Sequence, residues 1–133
     1  MTKGMKEKIE AMQIGGKKLA SIKAQLRETA RPGVRFEDLE ALAQEQIKKE
    51  GALPSFSTVE GYEWATCITK NEGCCHGVPR DKKVEDRDVL TIDVGLIYKG
   101  YHVDTTTTFY VGDESKADPK TLEFLRVGKE AMD

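Results

Sequence analysis

The sequence predicts an α/β (α+β) fold, with helices packed on one face of a curved, mostly antiparallel sheet. Three observations carry this. The N-terminal third repeats apolar residues at helical spacing. The stretch Thr91–Val111, TIDVGLIYKGYHVDTTTTFYV, has the composition of two strands joined by a short turn. A second kind of helix signal, Asp118 followed by Pro119, opens the last segment.

Met5, Ile9, Met12, Leu19, Ile22 and Leu26 lie among Lys, Glu and Gln. They predict an amphipathic helix of about 25 residues, loosened at Gly15-Gly16 because glycine is a poor helix former. Lys17, Lys18 and Lys23 form a solvated face. Ala30-Arg31-Pro32-Gly33 ends the helix, since proline cannot continue it. Phe36, Leu39, Leu42, Ala43 and Ile47 mark a second helix, closed at Gly51. Pro54 and the following SFSTVEGYEW predict a loop. Ala65–Lys70 predicts a strand, and Asn71-Glu72-Gly73 a turn into Cys74-Cys75-His76. Pro79–Arg87 is a polar connection. At the end, Asp118 suits an N-cap and Pro119 the first helical position. Leu122, Leu125 and Ala131 continue an apolar face up to Asp133, which predicts a longer parent chain.

The predicted hairpin carries two acidic residues, Asp93 and Asp104. Ile92, Val94, Leu96 and Ile97 supply strand formers before the turn, and Tyr101, Val103, Thr105–Thr108, Phe109, Tyr110 and Val111 after it. Tyr98-Lys99-Gly100 is the connection. Folding about Tyr98–Lys99 sets Asp93 directly opposite Asp104, and a bulged three-residue connection moves the match by about one residue. Directly opposed side chains sit roughly 4.5–5.5 Å apart at Cβ. Like charges so close repel unless a cation lies between them. Two readings stand at this point: a divalent metal gripped by both carboxylates, or a solvated hairpin with no ligand. Apolar and β-branched neighbours predict that both strands are largely buried.

With 133 residues the chain is long enough for one domain, spanning 1–133, with a real core. A net charge of -2 gives no basic footprint for nucleic acid or an acidic membrane surface. No apolar run nears the roughly 20 residues that span a bilayer, and MTKGMKEKIE lacks a signal-type apolar core. The expected location is cytoplasmic. The three cysteines, Cys67, Cys74 and Cys75, are odd in number and contain no C-x-x-C, so a disulfide framework is not expected. Cys74, Cys75 and His76 have no second cluster to complete a zinc site, and the thiols are expected to be buried in or beside a strand.

Three motifs between Asn71 and Gly112 share one resemblance: CHGVP at Cys75–Pro79, D-V-G at Asp93–Gly95, and G-Y-H-V-D-T at Gly100–Thr105. Together with IEAMQIGGKKLA near the N-terminus, they resemble the first half of the type I methionine aminopeptidases. The wider superfamily, the pita-bread metallopeptidases, includes Xaa-Pro aminopeptidases and creatinases. The resemblance implies half of a pita-bread fold over residues 1–133. It implies a metal-dependent aminopeptidase that removes methionine from the N-terminus of a peptide or nascent protein. It implies divalent metal ions, two per complete site, drawn from Co, Mn, Fe or Zn. Asp93 would bind one metal and Asp104 would bridge both. His76 would be catalytic, bonding the substrate or its tetrahedral intermediate. Tyr62 and Cys67 would line the pocket for the methionine side chain. Strand alternation adds that His102 shares a face with Asp104.

The chain also departs from that pattern. The His and two Glu ligands that the family carries in HGxG, I-E-P and a late Glu motif do not occur. Glu60 stands where many members have a histidine. Two carboxylates leave most of a metal's coordination to water, so this chain alone is expected to bind metal weakly and to cleave little. A fragment, one half of a split enzyme, and a non-catalytic module that binds a peptide or protein all fit. An exposed sheet face or edge would favour a homodimer.

Overall fold

The structure is a computed structural model, and it describes residues 2–132. Helix α1, Lys3–Thr29, starts where the Thr2 hydroxyl accepts the Met5 N–H and ends one residue before Arg31-Pro32. Its buried stripe is Ala11, Gly15, Leu19, Ile22 and Leu26. The helix is continuous through Gly15-Gly16, contrary to the expected loosening. A Cβ on Gly15 would lie 3.2 Å from Tyr98 Cβ and 3.3 Å from Val103 Cγ2, so the missing side chain lets the helix press onto the sheet.

Helix α2, Phe36–Lys49, buries Phe36, Leu39, Ala43 and Ile47, with Leu42 packed at the margin of the core. Two residues, Leu53–Pro54, then pair as a strand, β1, where a loop was expected. A 3-10 turn follows at Phe56–Thr58. Strand β2, Thr66–Lys70, matches the expected position to within a residue. Strands β3, Val89–Tyr98, and β4, Tyr101–Tyr110, form the expected hairpin. Helix α3, Pro119–Glu130, is capped by Asp118, whose carboxylate accepts the Lys120 N–H at 2.8 Å. It stops at Glu130, so Ala131 is its cap and not part of its apolar face. Asp133, the last position of that expected face, lies outside the described residues.

All strand pairs are antiparallel. β3 is the spine: β4 runs along one side for its whole length, and β2 and β1 follow one another along the other side. Alternation sends Leu90, Ile92, Val94 and Leu96 of β3 into the core beside α1 and α2. Thr91, Asp93 and Gly95 therefore occupy the opposite face. β4 differs from the expectation of two buried strands. His102, Asp104, Thr106 and Thr108 are exposed, and of the described residues only the Ser55–Phe56 segment is seen to approach that face.

Candidate functional site

The hairpin turn decides where the acidic pair sits. Its loop is Lys99-Gly100, with Lys99 at φ 49° and Gly100 at φ 82°, and Tyr98 pairs with Tyr101. Two left-handed residues give the twist that joins antiparallel strands through a two-residue loop. Asp93 is thus opposite Thr106, and Asp104 opposite Gly95. The expected direct opposition of Asp93 and Asp104 is corrected: they are diagonal neighbours, because the turn is centred one residue later than Tyr98–Lys99. The partner shifts by two positions, which preserves alternation, so both carboxylates still share the face away from the helices. Diagonal positions are about 7–8 Å apart at Cα, within reach of carboxylates that lean together.

The electrostatics fit a cation. Asp104 is exposed as a residue, but its carboxyl is partly shielded from water; that shielding, then the negative charge of Asp93, holds the carboxyl above its ordinary range. The Thr106 hydroxyl donates to Asp93 Oδ1 at 2.8 Å, which orients that carboxylate. An oxygen-rich, like-charged pair is the donor set hard divalent ions take. Among the described residues, however, no group of three or more His, Cys, Asp or Glu side chains comes together to hold a metal. Two carboxylates are what the described residues bring together on this face.

Cys67 pairs with Asp93 across the β2–β3 ladder and shares its face. Tyr62 stands against it. The Tyr62 hydroxyl donates to the Thr66 carbonyl at 2.7 Å and lies 3.2 Å from Cys67 Sγ. Burial raises both groups, the Cys67 thiol and the Tyr62 phenol, so both stay neutral at ordinary pH; the phenol's bond to Cys67 opposes the thiol's rise. The Trp64 ring meets Tyr62 edge-on at 5.1 Å, and the Arg80 guanidinium lies 5.8 Å over Trp64. Tyr62 and Cys67 thus lie beside Asp93 on the face that carries the acidic pair.

His76 is exposed in the loop between β2 and β3, at φ 54°. Gly77 anchors it: its carbonyl accepts the Ile68 N–H at 2.8 Å, and a Cβ there would come within 2.3 Å of the Ile68 carbonyl oxygen. His76 is thus tied one residue from Cys67 along β2, while its side chain stays in solvent. Cys74 and Cys75 are exposed, correcting the expectation of buried thiols; only Cys67 is buried. The residues beside them are turn and loop, with no strand to cover them.

Two features escaped the sequence motifs. A Cβ on Gly95 would meet Phe56 Cε1 at 2.7 Å and Ser55 Cβ at 3.0 Å, so the Ser55–Phe56 segment lies directly over β3 where it pairs with Asp104. Glycine inside a strand is the signal for such an approach. The buried Ser55 then places its hydroxyl 2.8 Å from His102 Nδ1, fixing the ring on the face of Asp104.

The chain and its fold are similar to known proteins. The chain is 36% identical to "Methionine aminopeptidase 1" of Bacillus subtilis (strain 168) over 112 residues, 84% of this chain and 45% of the relative. It is 36% identical to "Methionine aminopeptidase" of Clostridium perfringens over 114 residues, 86% of this chain and 46% of that one. The chain therefore spans about half the length of these relatives. Its fold superposes on methionine aminopeptidase from Thermotoga maritima with a TM-score of 0.86 and 35% identity, covering 93% of this chain and 49% of that one. It also superposes on prolidase from Pyrococcus furiosus with a TM-score of 0.78 at 27% identity, covering 95% and 35%. The pita-bread reading of the fold rests on these likenesses. Residues 10–133 match the profile of Metallopeptidase family M24, and with the acidic hairpin where that profile falls, the chain belongs to this family.

Proposed function

We propose that this chain carries part of the active site of a methionine aminopeptidase, one that removes N-terminal methionine from peptides and nascent proteins. The observation that carries the reading is the placement of Asp93 and Asp104 on one sheet face, beside the Cys67–Tyr62 wall. Asp93 and Asp104 would hold divalent metal, with two ions in the complete site. Bound metal supplies a water that is nucleophilic near neutral pH and polarises the scissile carbonyl. The protein residues do the rest. Tyr62 and Cys67 present a neutral, largely apolar wall to the first side chain of the substrate. His76, on the loop that Gly77 anchors to β2, would donate a hydrogen bond to the peptide or to the oxyanion that forms from it. With two carboxylates as its only protein ligands among the described residues, the 133-residue chain alone would bind metal weakly and cleave slowly.

The test is peptide hydrolysis with added Mn²⁺ or Co²⁺, comparing Met-Ala and Ala-Pro peptides on the protein as the cell makes it. Cleavage of Met-Ala that Asp104→Asn abolishes supports the reading. Preferential cleavage of Ala-Pro would replace it with an Xaa-Pro activity. Metal binding with no cleavage of either would leave a peptide-binding module in its place.

A further inference from the structure

We infer that Glu40 is a positioning residue for the Tyr62–Cys67 wall and so sets selectivity for the first side chain of the substrate; this rests on the function proposed above.

Glu40 lies on α2, on the helix side of the sheet, away from the acidic pair. It is 7% exposed. Its carboxylate collects four donors. Oε1 accepts the Ala65 N–H at 2.7 Å and Gln44 Nε2 at 2.8 Å. Oε2 accepts the Thr66 N–H at 3.0 Å and the Thr66 hydroxyl at 2.5 Å. No ion pair to Glu40 occurs among the described residues, so these donors alone compensate its burial. A buried carboxylate with no cation is costly unless its lone pairs are filled. An ionised carboxylate only accepts, which makes it the side chain that can bind two consecutive backbone N–H groups and a hydroxyl at once.

What these bonds fix is the start of β2. Ala65 and Thr66 are the residues through which the chain passes from Trp64 into the strand. The Thr66 carbonyl takes the Tyr62 hydroxyl at 2.7 Å, and the next residue, Cys67, meets that hydroxyl at 3.2 Å and pairs with Asp93. The path from Glu40 to the site is thus continuous: carboxylate, Ala65–Thr66 backbone, Tyr62 and Cys67, Asp93. One of the two Tyr62 hydroxyl contacts is to Thr66, which Glu40 clamps, and the other is to Cys67, the next residue. If the clamp loosens, the wall moves relative to the acidic pair, while the pair itself stays on the β3–β4 hairpin.

Trp64 is the one tryptophan in the sequence and packs on Tyr62, so its emission reports the wall directly. Glu40→Gln keeps the size but turns one acceptor into a donor that faces other donors. Thr66→Val removes only the hydroxyl donor. Glu40→Gln is expected to unfold cooperatively, to shift Trp64 emission and to move the amide NMR signals of residues 62–67 in the 133-residue chain. In the metal-loaded active protein it should raise KM for a Met-peptide about tenfold, as expected from losing a charged hydrogen bond. Its kcat should stay within about twofold, and discrimination between Met- and Ala-initiated peptides should narrow. Thr66→Val should change the same quantities in the same direction by less. Glu40→Asp, which keeps the charge, should fall between wild type and Glu40→Gln. A folded Glu40→Gln protein with wild-type Trp64 emission, amide signals and KM overturns the assignment, as does an equal loss of kcat on both peptides with KM unchanged. If Glu40→Gln does not fold, Thr66→Val decides by the same readouts. If the unsubstituted protein cleaves no Met-peptide, the proposed function fails by itself, and the Trp64 and amide signals alone decide whether Glu40 positions the wall.

Discussion

Asp104 bears the cost of the acidic pair. Its carboxyl is raised by partial loss of water and by Asp93, so ionising it is harder in the folded chain than in the unfolded one. The sign follows from that direction. Below the ordinary carboxylate range the group is protonated in both states and costs nothing. As pH rises through that range and on through the raised folded value, the folded state loses stability. Asp104→Asn should therefore raise the melting temperature of the metal-free chain near neutral pH, and the gain should vanish in acid below the carboxylate range; calorimetry at the two pH values checks this. A gain that persists unchanged in acid would assign the effect to something other than charge. At this scale the sequence was informative about identity and poor on geometry. Asp93 and Asp104 stood out in the hairpin pattern, Tyr62 and Cys67 only through the family resemblance, and the structure sets Cys67 opposite Asp93 with Tyr62 against it. The diagonal offset was not legible, because it depends on Lys99, a residue with no intrinsic preference for the left-handed conformation it adopts.

The elements that hold the site give two further tests. Lys99 and Gly100 form the turn that sets the register, and asparagine suits the first of these positions better than lysine. Lys99→Asn should stabilise the chain by roughly 0.5–1 kcal/mol, with no change in the strand pairing seen by NMR. Gly77 meets backbone where a side chain would go, at 2.3 Å from the Ile68 carbonyl oxygen. Backbone cannot swing aside as a side-chain tip does. Gly77→Ala should cost about 1–3 kcal/mol in urea unfolding and release the loop that carries His76. A neutral Gly77→Ala would mean that the loop is not anchored on β2. Helices and the hairpin were readable because each has a repeating apolar period. β1 was not: two residues, one of them proline, carry no period, and they pair only because β3 extends past the end of β2.

Over the whole molecule, the notable mismatch between pattern and burial is at the start of α1. Met5, Ile9 and Met12 continue the apolar stripe, yet they are exposed. The reason is length. Gly15 already lies against Tyr98 and Val103, near the hairpin turn, while Arg27 reaches Phe109 near the other end of β4. The first turns of α1 therefore run past the sheet. Phe124 and Val127 of α3 are likewise exposed. Apolar periodicity identifies the face that a helix can bury, but what it packs against depends on the other elements present. Leu19→Ala, inside the core, should cost about 2–5 kcal/mol in denaturant unfolding. Ile9→Glu should change stability by less than about 0.5 kcal/mol, as exposed sites do. Comparable losses at the two positions would contradict the packing described.

On the function proposed above, Asp93 and Asp104 act together as a metal-binding pair. Titrating the 133-residue chain with Mn²⁺ and following paramagnetic broadening of amide signals tests it most directly. Weak, saturable broadening is expected, centred on Asp93, Asp104, Thr106 and Cys67 and removed by Asp104→Asn. Absence of broadening at millimolar Mn²⁺, or broadening centred instead on Glu85 and Asp88, the carboxylates that Lys70 pairs with away from the hairpin site, would contradict it.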